Sequence, residues 1–337
     1  SKQIKEGYPY VYNNPMLVLT KEYKVTSINI SNNSINLIGY NGAILYANEI
    51  NLLSECVIEN ISFVGLVDGI RFKSESDFNL PIIRNCTFFD CKETLKFNLL
   101  RSANVVIENC KFFNCDRIIY NFADKCVLRN CFIEARTYSI PPIYNDGNLV
   151  IDSCIFVPTT SVKMNVWIEN HESIIKQCGL TLTNSRFGGE NGGSSCIIYN
   201  YVGANKSISD GERNNIVINN CQISCAGDQG VLKLFAIPNR ISISNVFGLF
   251  DCTKGLITTS EDIVLPKINR LISGIVTDGS FIQSRSYPIV SKNIEYLYNN
   301  KYCESIKKYT ASYEKRKIVN AGEEIICNIS FDSEYTI

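Results

Sequence analysis

The chain has 337 residues, with 33 Lys plus Arg balanced by 33 Asp plus Glu, so no global field draws it to nucleic acid or to an anionic membrane and partners must be recognised locally. Eighteen Tyr, 17 Phe and a single His favour strands over helices. No apolar run approaches the ~18 residues of a spanning helix, which excludes membrane insertion by helices.

The opening SKQIKEGYPY lacks the apolar segment of a signal peptide, while Ser1 leaves room for a processed or removed upstream part. Residues 1–34 carry the strand-like pieces Leu17-Val18-Leu19 and Ile28-Asn29-Ile30. They read as an N-terminal cap or early coils, since a repeat protein must cover its open end.

From residue 35 a unit recurs. Ile58-Glu59-Asn60-Ile61-Ser62-Phe63 is followed by Ile83-Arg84-Asn85-Cys86-Thr87-Phe88 and Ile107-Glu108-Asn109-Cys110-Lys111-Phe112. Leu128-Arg129-Asn130-Cys131, Ile151-Asp152-Ser153-Cys154, Leu182-Thr183-Asn184-Ser185 and Ile218-Asn219-Asn220-Cys221 continue it. From Asn60 to Asn85, Asn109, Asn130 and Ser153 the steps are 25, 24, 21 and 23 residues, one solenoid coil each. The aliphatic residue points inward, the polar one outward, and Asn bends the chain, because it tolerates the left-handed region. Its amide is expected to join a buried ladder with its equivalents one coil away.

A second phase agrees: Asp68-Gly69-Ile70-Arg71-Phe72, Glu93-Thr94-Leu95-Lys96-Phe97 and Asp116-Arg117-Ile118-Ile119-Tyr120 align Phe72, Phe97, Tyr120 and then Tyr144. An antiparallel sandwich offers no reason for a fixed Asn-Cys offset. The steps from Ser153 to Asn184 and on to Asn220, 31 and 36 residues, exceed a coil and predict insertions at about 158–176 and 187–215, emerging on one broad side. The repeat fades after Phe250. Residues 291–337 read as a C-terminal cap or the start of a truncated β-domain, with 294–309 a short helix or departing strand and 321–331 β-structure.

Fifteen cysteines in a large chain, odd in number and set inside apolar strand motifs, read as buried free thiols that imply folding in a reducing compartment. The stacked Asn and stacked apolar residues resemble the pectate-lyase-like right-handed β-helices. The expected fold is therefore all-β, a right-handed single-stranded parallel β-helix over 35–290 with a small β-rich C-terminal segment.

Two groups of residues could carry chemistry. Counted back from the aligned aromatic, Asp68, Glu93 and Asp116 share one position on successive coils, with Arg71 and Lys96 three residues on. Neighbours would lie ~5 Å apart and alternate members ~10 Å, bracketing the carboxylate spacings of glycosidases. The plainer alternative is that these acids open exposed strands and are neutralised by Arg and Lys. In the insertions Trp167 could stack on a sugar, with Glu169, His171, Glu172, Tyr201, Asp210 and Glu212 as polar partners; the alternative is a Trp covering a coil edge and a His on a surface loop. The pairs Cys86/Cys91, Cys110/Cys115 and Cys126/Cys131 follow the coil period rather than a zinc pattern, so neither metal nor cofactor is expected. Lyase-type bases, a nucleophile elbow and a phosphate loop are all missing.

Within the β-helix group the chain most resembles bacteriophage tailspikes and receptor-binding surface fibres, over roughly residues 35–250. That resemblance implies a homotrimer on the virion surface, folded in the host cytoplasm, which binds a host cell-surface glycan, with hydrolysis of that glycan left open. A non-catalytic adhesin or decoration protein, and a secreted pectinase-like extracellular enzyme, are the alternatives.

Overall fold

The computed structural model describes residues 14–30, 34–73, 80–98, 103–136, 139–159, 164–172, 179–188, 196–202, 215–227, 230–235 and 238, and beyond these the strands between 240 and 310. All regular structure among the described residues is β. Each coil contributes one strand to each of three parallel sheets. Sheet A holds Val57–Glu59, Ile82–Arg84, Asn104–Glu108, Lys125–Arg129, Asn148–Asp152, Gly179–Thr183 and Asn215–Asn219; sheet B begins after the bend, with Ser62–Val64, Thr87–Phe89, Lys111–Cys115, Phe132–Ala135 and Ile155–Pro158. Sheet C, ten strands in all, includes Gly69–Lys73, Glu93–Phe97, Arg117–Asn121, Ile143–Asn145, Ile168–Glu172, Ile198–Val202 and Leu232–Leu234. Strands pair in parallel with their equivalents one coil away, and the winding is the right-handed β-helix.

The bend between sheets A and B is one left-handed residue. Asn60, Asn85, Asn109, Asn130, Ser153, Asn184 and Asn220 all have φ between 50° and 59°. Their side chains are exposed, so the amides form no buried ladder there. Asn220 Nδ2 donates to Asn184 Oδ1 (2.7 Å) and Asn184 Nδ2 to Asp152 Oδ1 (2.8 Å) on the outer ridge. The residue after the bend turns inward and its thiol donates to the carbonyl two residues back: Cys86 to Arg84 O (3.3 Å), Cys110 to Glu108 O (3.3 Å) and Cys131 to Arg129 O (3.2 Å). Ser185 does the same with its hydroxyl toward Thr183 O at 2.7 Å, which identifies the task as a small inward donor rather than thiol chemistry. The eleven cysteines whose side chains are described, from Cys56 to Cys225, are free and buried. Desolvation pushes the thiols of Cys56 and Cys126 well up, so they stay neutral.

Inside, like stacks on like. Phe63, Phe88 and Phe112 form a column with ring centroids 5.1 and 4.8 Å apart, beside the aliphatic column Ile58, Ile83, Ile107, Leu128 and Ile151. On the outer face of sheet A the residues before the bend alternate in sign, Glu59, Arg84, Glu108, Arg129, Asp152, in direct register. Arg84 meets Glu59 at 2.7 Å, and Arg129 meets Glu108 at 2.5 Å. A slip by one coil would oppose like charges.

The buried amide ladder lies instead at the end of sheet C. Phe72 and Phe97 stack inside (4.9 Å); the next coil replaces Phe with Asn121, which pairs with Phe97. From there Asn121 Nδ2 donates to Asn145 Oδ1 (2.8 Å), Asn145 to Asn170 (2.7 Å) and Asn170 to Asn200 (2.7 Å), all four without solvent exposure. Asn121 Oδ1 accepts from Ala123 N (3.0 Å) and Asn145 Nδ2 reaches Gly147 O (3.0 Å), so the ladder also holds the turns back to sheet A. A Cβ on Gly147 would collide with the Ala123 carbonyl.

At the N-terminal end Met16–Leu19, Glu22–Lys24 and Ser27–Ile30 already pair with the next coil in all three sheets, so residues 16–30 are a full coil. At the other end Arg240–Cys252 runs through sheets A and B without a break, and Ile294–Tyr298 pairs antiparallel with Lys301–Ile306, a hairpin rather than a helix. The β-structure expected at 321–331 lies outside the described residues.

Two outcomes follow from the stacking. Asn145→Ala leaves two buried amide groups unpaired and should cost about 2–5 kcal/mol in chemical denaturation, against under ~1 kcal/mol for Asn130→Gly at the exposed bend. The buried thiols should resist a thiol-specific reagent in the native protein and react rapidly in denaturant.

Candidate glycan-binding face

Sheet C presents alternate residues outward, and from Arg117 onward these are mostly aromatic. Tyr120 and Tyr144 stack at 4.4 Å and 10°; Tyr144 stacks on His171 at 4.5 Å, His171 on Tyr201 at 5.3 Å, and Tyr201 on Phe235 at 4.4 Å and 10°. Five rings on five coils thus make one continuous stack. Parallel register sets Tyr120 on Tyr144 and His171 on Tyr201; between them the stack steps two residues along the strand, because Tyr144 pairs with Glu169. The rings are half-buried, and Tyr199 closes edge-on against Tyr201 and Phe235.

Charged groups line the stack. His171 Nε2 lies 3.0 Å from Glu169 Oε1, and this contact, opposed by burial, holds the Glu169 carboxyl below the usual carboxylate range. Arg117 lies over Tyr120 (5.9 Å) and Tyr144 (5.7 Å), with Nη1 3.9 Å from Glu169 Oε2. Lys233 lies over Phe235 (4.9 Å) and Tyr199 (5.8 Å). Burial, then the charges of Asp146, Tyr120 and Glu169, push the Tyr144 phenol well up; burial and Glu169 raise that of Tyr201. Both remain hydrogen-bond donors.

The structure therefore joins Glu169, His171 and Tyr201, three of the expected binding residues. Trp167 is not among them. It is fully buried and packs edge-on against Phe156 at 5.6 Å, just before the sheet C strand that starts at Ile168. Glu172 belongs to the strand Ile168–Glu172 but its side chain lies outside the described residues, as do Asp210 and Glu212. In chain order residues 159–167 and 188–197 connect sheet B to sheet C, and 173–178 and 203–214 connect sheet C to sheet A; the bulk of these connections, and with it the expectation that the insertions emerge on one side, lies outside the described residues.

The acid stack changes more. Glu93 pairs with Arg117, so Asp116 falls one position out of register with Asp68 and Glu93. The slip follows from Tyr120, which aligns with Lys96 on the outer face, while Asn121 takes the inward place of Phe97. Every one of the three acids is paired with a cation. Arg71 meets Glu49 at 2.8 Å and Asp68 at 3.5 Å, Lys96 forms an ion pair with Glu93, and Arg136 grips both oxygens of the nearly buried Asp116 at 2.9 and 2.8 Å. The sequence aligns Tyr120 and Tyr144 with the aromatics Phe72 and Phe97 instead of marking them as binding residues, and it does not single out Tyr199, Phe235, Arg117 and Lys233 for binding, although Ile119-Tyr120-Asn121, Ile143-Tyr144-Asn145 and Ile198-Tyr199-Asn200 repeat in register. Among the described residues no group of His, Cys, Asp and Glu could hold a metal ion.

Glu169→Gln should lower stability at neutral pH, and the deficit should shrink on acidification. A depressed folded pKa gives stability that is present above the unfolded value of ~4.3 and lost as pH falls through the folded one, which thermal melts between about pH 3 and 7 would follow. No family model, curated protein or solved structure matches this chain, so function has to be argued from the face itself.

Proposed function

We propose that the protein is a tailspike- or fibre-like component of a virus particle, a rigid solenoid that binds host surface polysaccharide along the outer face of sheet C. The observation that carries this reading is the five-ring stack from Tyr120 to Phe235, flanked by Arg117, Glu169 and Lys233 and set between the longest connections of the coil. Aromatic and polar groups in line along a rigid axis suit a linear polymer. The buried free thiols fit assembly in a reducing cytoplasm before release.

Binding without cleavage is the reading favoured for the acids, because Asp68, Glu93 and Asp116 are each engaged by a cation and do not share a register. The homotrimer is part of the same proposal. Sedimentation should give three times 37.9 kDa. Incubated with purified capsular or O-antigen polysaccharide of the host, the protein should bind while leaving the polymer's size distribution unchanged. Release of defined oligosaccharides that Asp68→Asn, Glu93→Gln and Asp116→Asn abolish together would replace binding by hydrolysis, and failure to bind any host glycan would sink the proposal.

A further inference from the structure

The rings of the sheet C stack spend their faces on one another. With centroids 4.4 Å apart and planes within 10° for the outer pairs, a sugar cannot slide between them. What the interior of the stack offers a ligand is its rim, and the rim of an aromatic ring is the positive part of its quadrupole. On that rim sit the Tyr144 and Tyr201 phenols, which burial and nearby carboxylates keep protonated. The face is thus rich in donors.

Its charges are unevenly committed. Glu169 is occupied by His171 at 3.0 Å and balanced by Arg117 at 3.9 Å. Toward the N-terminal coils Arg71 and Lys96 are spent on Glu49, Asp68 and Glu93. The Lys233 ammonium, by contrast, rests only on the rings of Phe235 and Tyr199 and forms no ion pair among the described residues. It is half-buried on the outer face, in register with Tyr199 and Thr258. Four strand spacings, ~19 Å, separate its coil from that of Arg117, the cation at the other end of the stack.

We infer that the glycan taken by this face is anionic, and that Lys233 reads a carboxylate or sulfate on it while the ring rims and phenols run beneath the intervening sugars. The inference rests on the glycan-binding reading above and adds the class of polymer. An ammonium already partly shielded from water by two rings loses little on pairing with an anion, and the resulting hydrogen bond is of the charge-assisted kind. Neutral sugars would leave that donor without a charged partner.

The test uses the full chain and a panel of immobilised probes: hyaluronan, alginate and heparin, each also in carboxyl-reduced form, with the reduced heparin in addition desulfated and N-acetylated, and dextran as the neutral polymer. The expected result is binding to acidic members at least about tenfold tighter than to their neutralised counterparts, weakened by salt. Lys233→Gln should reduce that ratio several-fold with thermal stability preserved, and Lys233→Arg should retain it. Equal affinity for acidic and neutralised probes, or a ratio that Lys233→Gln leaves unchanged, overturns the inference while the glycan face stands. Binding that Tyr201→Ala does not weaken, or no binding to any probe, overturns the face and the inference together.

Discussion

In seven successive coils one left-handed residue, at the corner between sheets A and B, holds this molecule in register. Asn60 and its six successors turn the chain within a single residue, so that an outward polar residue, a bend and an inward side chain follow one another in fixed order, the inward one being a thiol or hydroxyl at every corner after Ile61. A longer corner would let the strands on either side slide. Asn is suited because its short side chain makes φ near +55° tolerable, and Ser153 shows that the position demands the conformation more than the amide.

Once the corner fixes register, each side chain lies over its equivalent in the previous coil, and what repeats must be able to touch itself. Phenylalanine rings and aliphatic chains satisfy that rule, as do amides, which donate on one side and accept on the other from Asn121 to Asn200. Charges do not. They have to alternate, and the column from Glu59 to Asp152 does so strand by strand. The same rule accounts for the cations beside Asp68 and Glu93, which share a column, since bare carboxylates one coil apart would repel one another.

Much of this was legible in the sequence because the corner motif is short and chemically distinctive. Solenoid, coil length and the inward Phe and Cys columns all followed from Asn-Cys-x-Phe. Sheet C was harder to read, since its inner column changes chemistry midway, from Phe97 to Asn121, and an aromatic at Tyr120 sits one residue away as a false guide. Aligning ring with ring shifted the register by one, which in a strand exchanges inside for outside. Trp167 misled for a different reason: an aromatic near a lengthened coil looks exposed, and strand parity counted back from inward Ile168 would also place it outside, but Trp167 precedes the strand, where Val166, Trp167 and Ile168 are buried in succession.

The outer face of sheet C is where the stacking rule permits a functional surface. Sheet A spends its outward positions on the charge column and on the apolar column of Val57, Ile82 and Val106 two residues before it, and its corner with sheet B is too tight to carry an insertion. Sheet C is bounded on both edges by connections whose length the register does not restrict, and its outward column passes from Arg71 and Lys96 through Tyr120 and Tyr144 to Glu169, Tyr199 and Lys233, so that cation, phenol and carboxylate follow one another. Relief from uniformity there costs little, because tyrosine, histidine and phenylalanine rings can stack on each other as well as on themselves. A column that holds together while its chemistry varies from coil to coil can present a sequence of distinct groups along a straight line, and a linear polymer of unlike sugars needs such a line to be recognised in one direction.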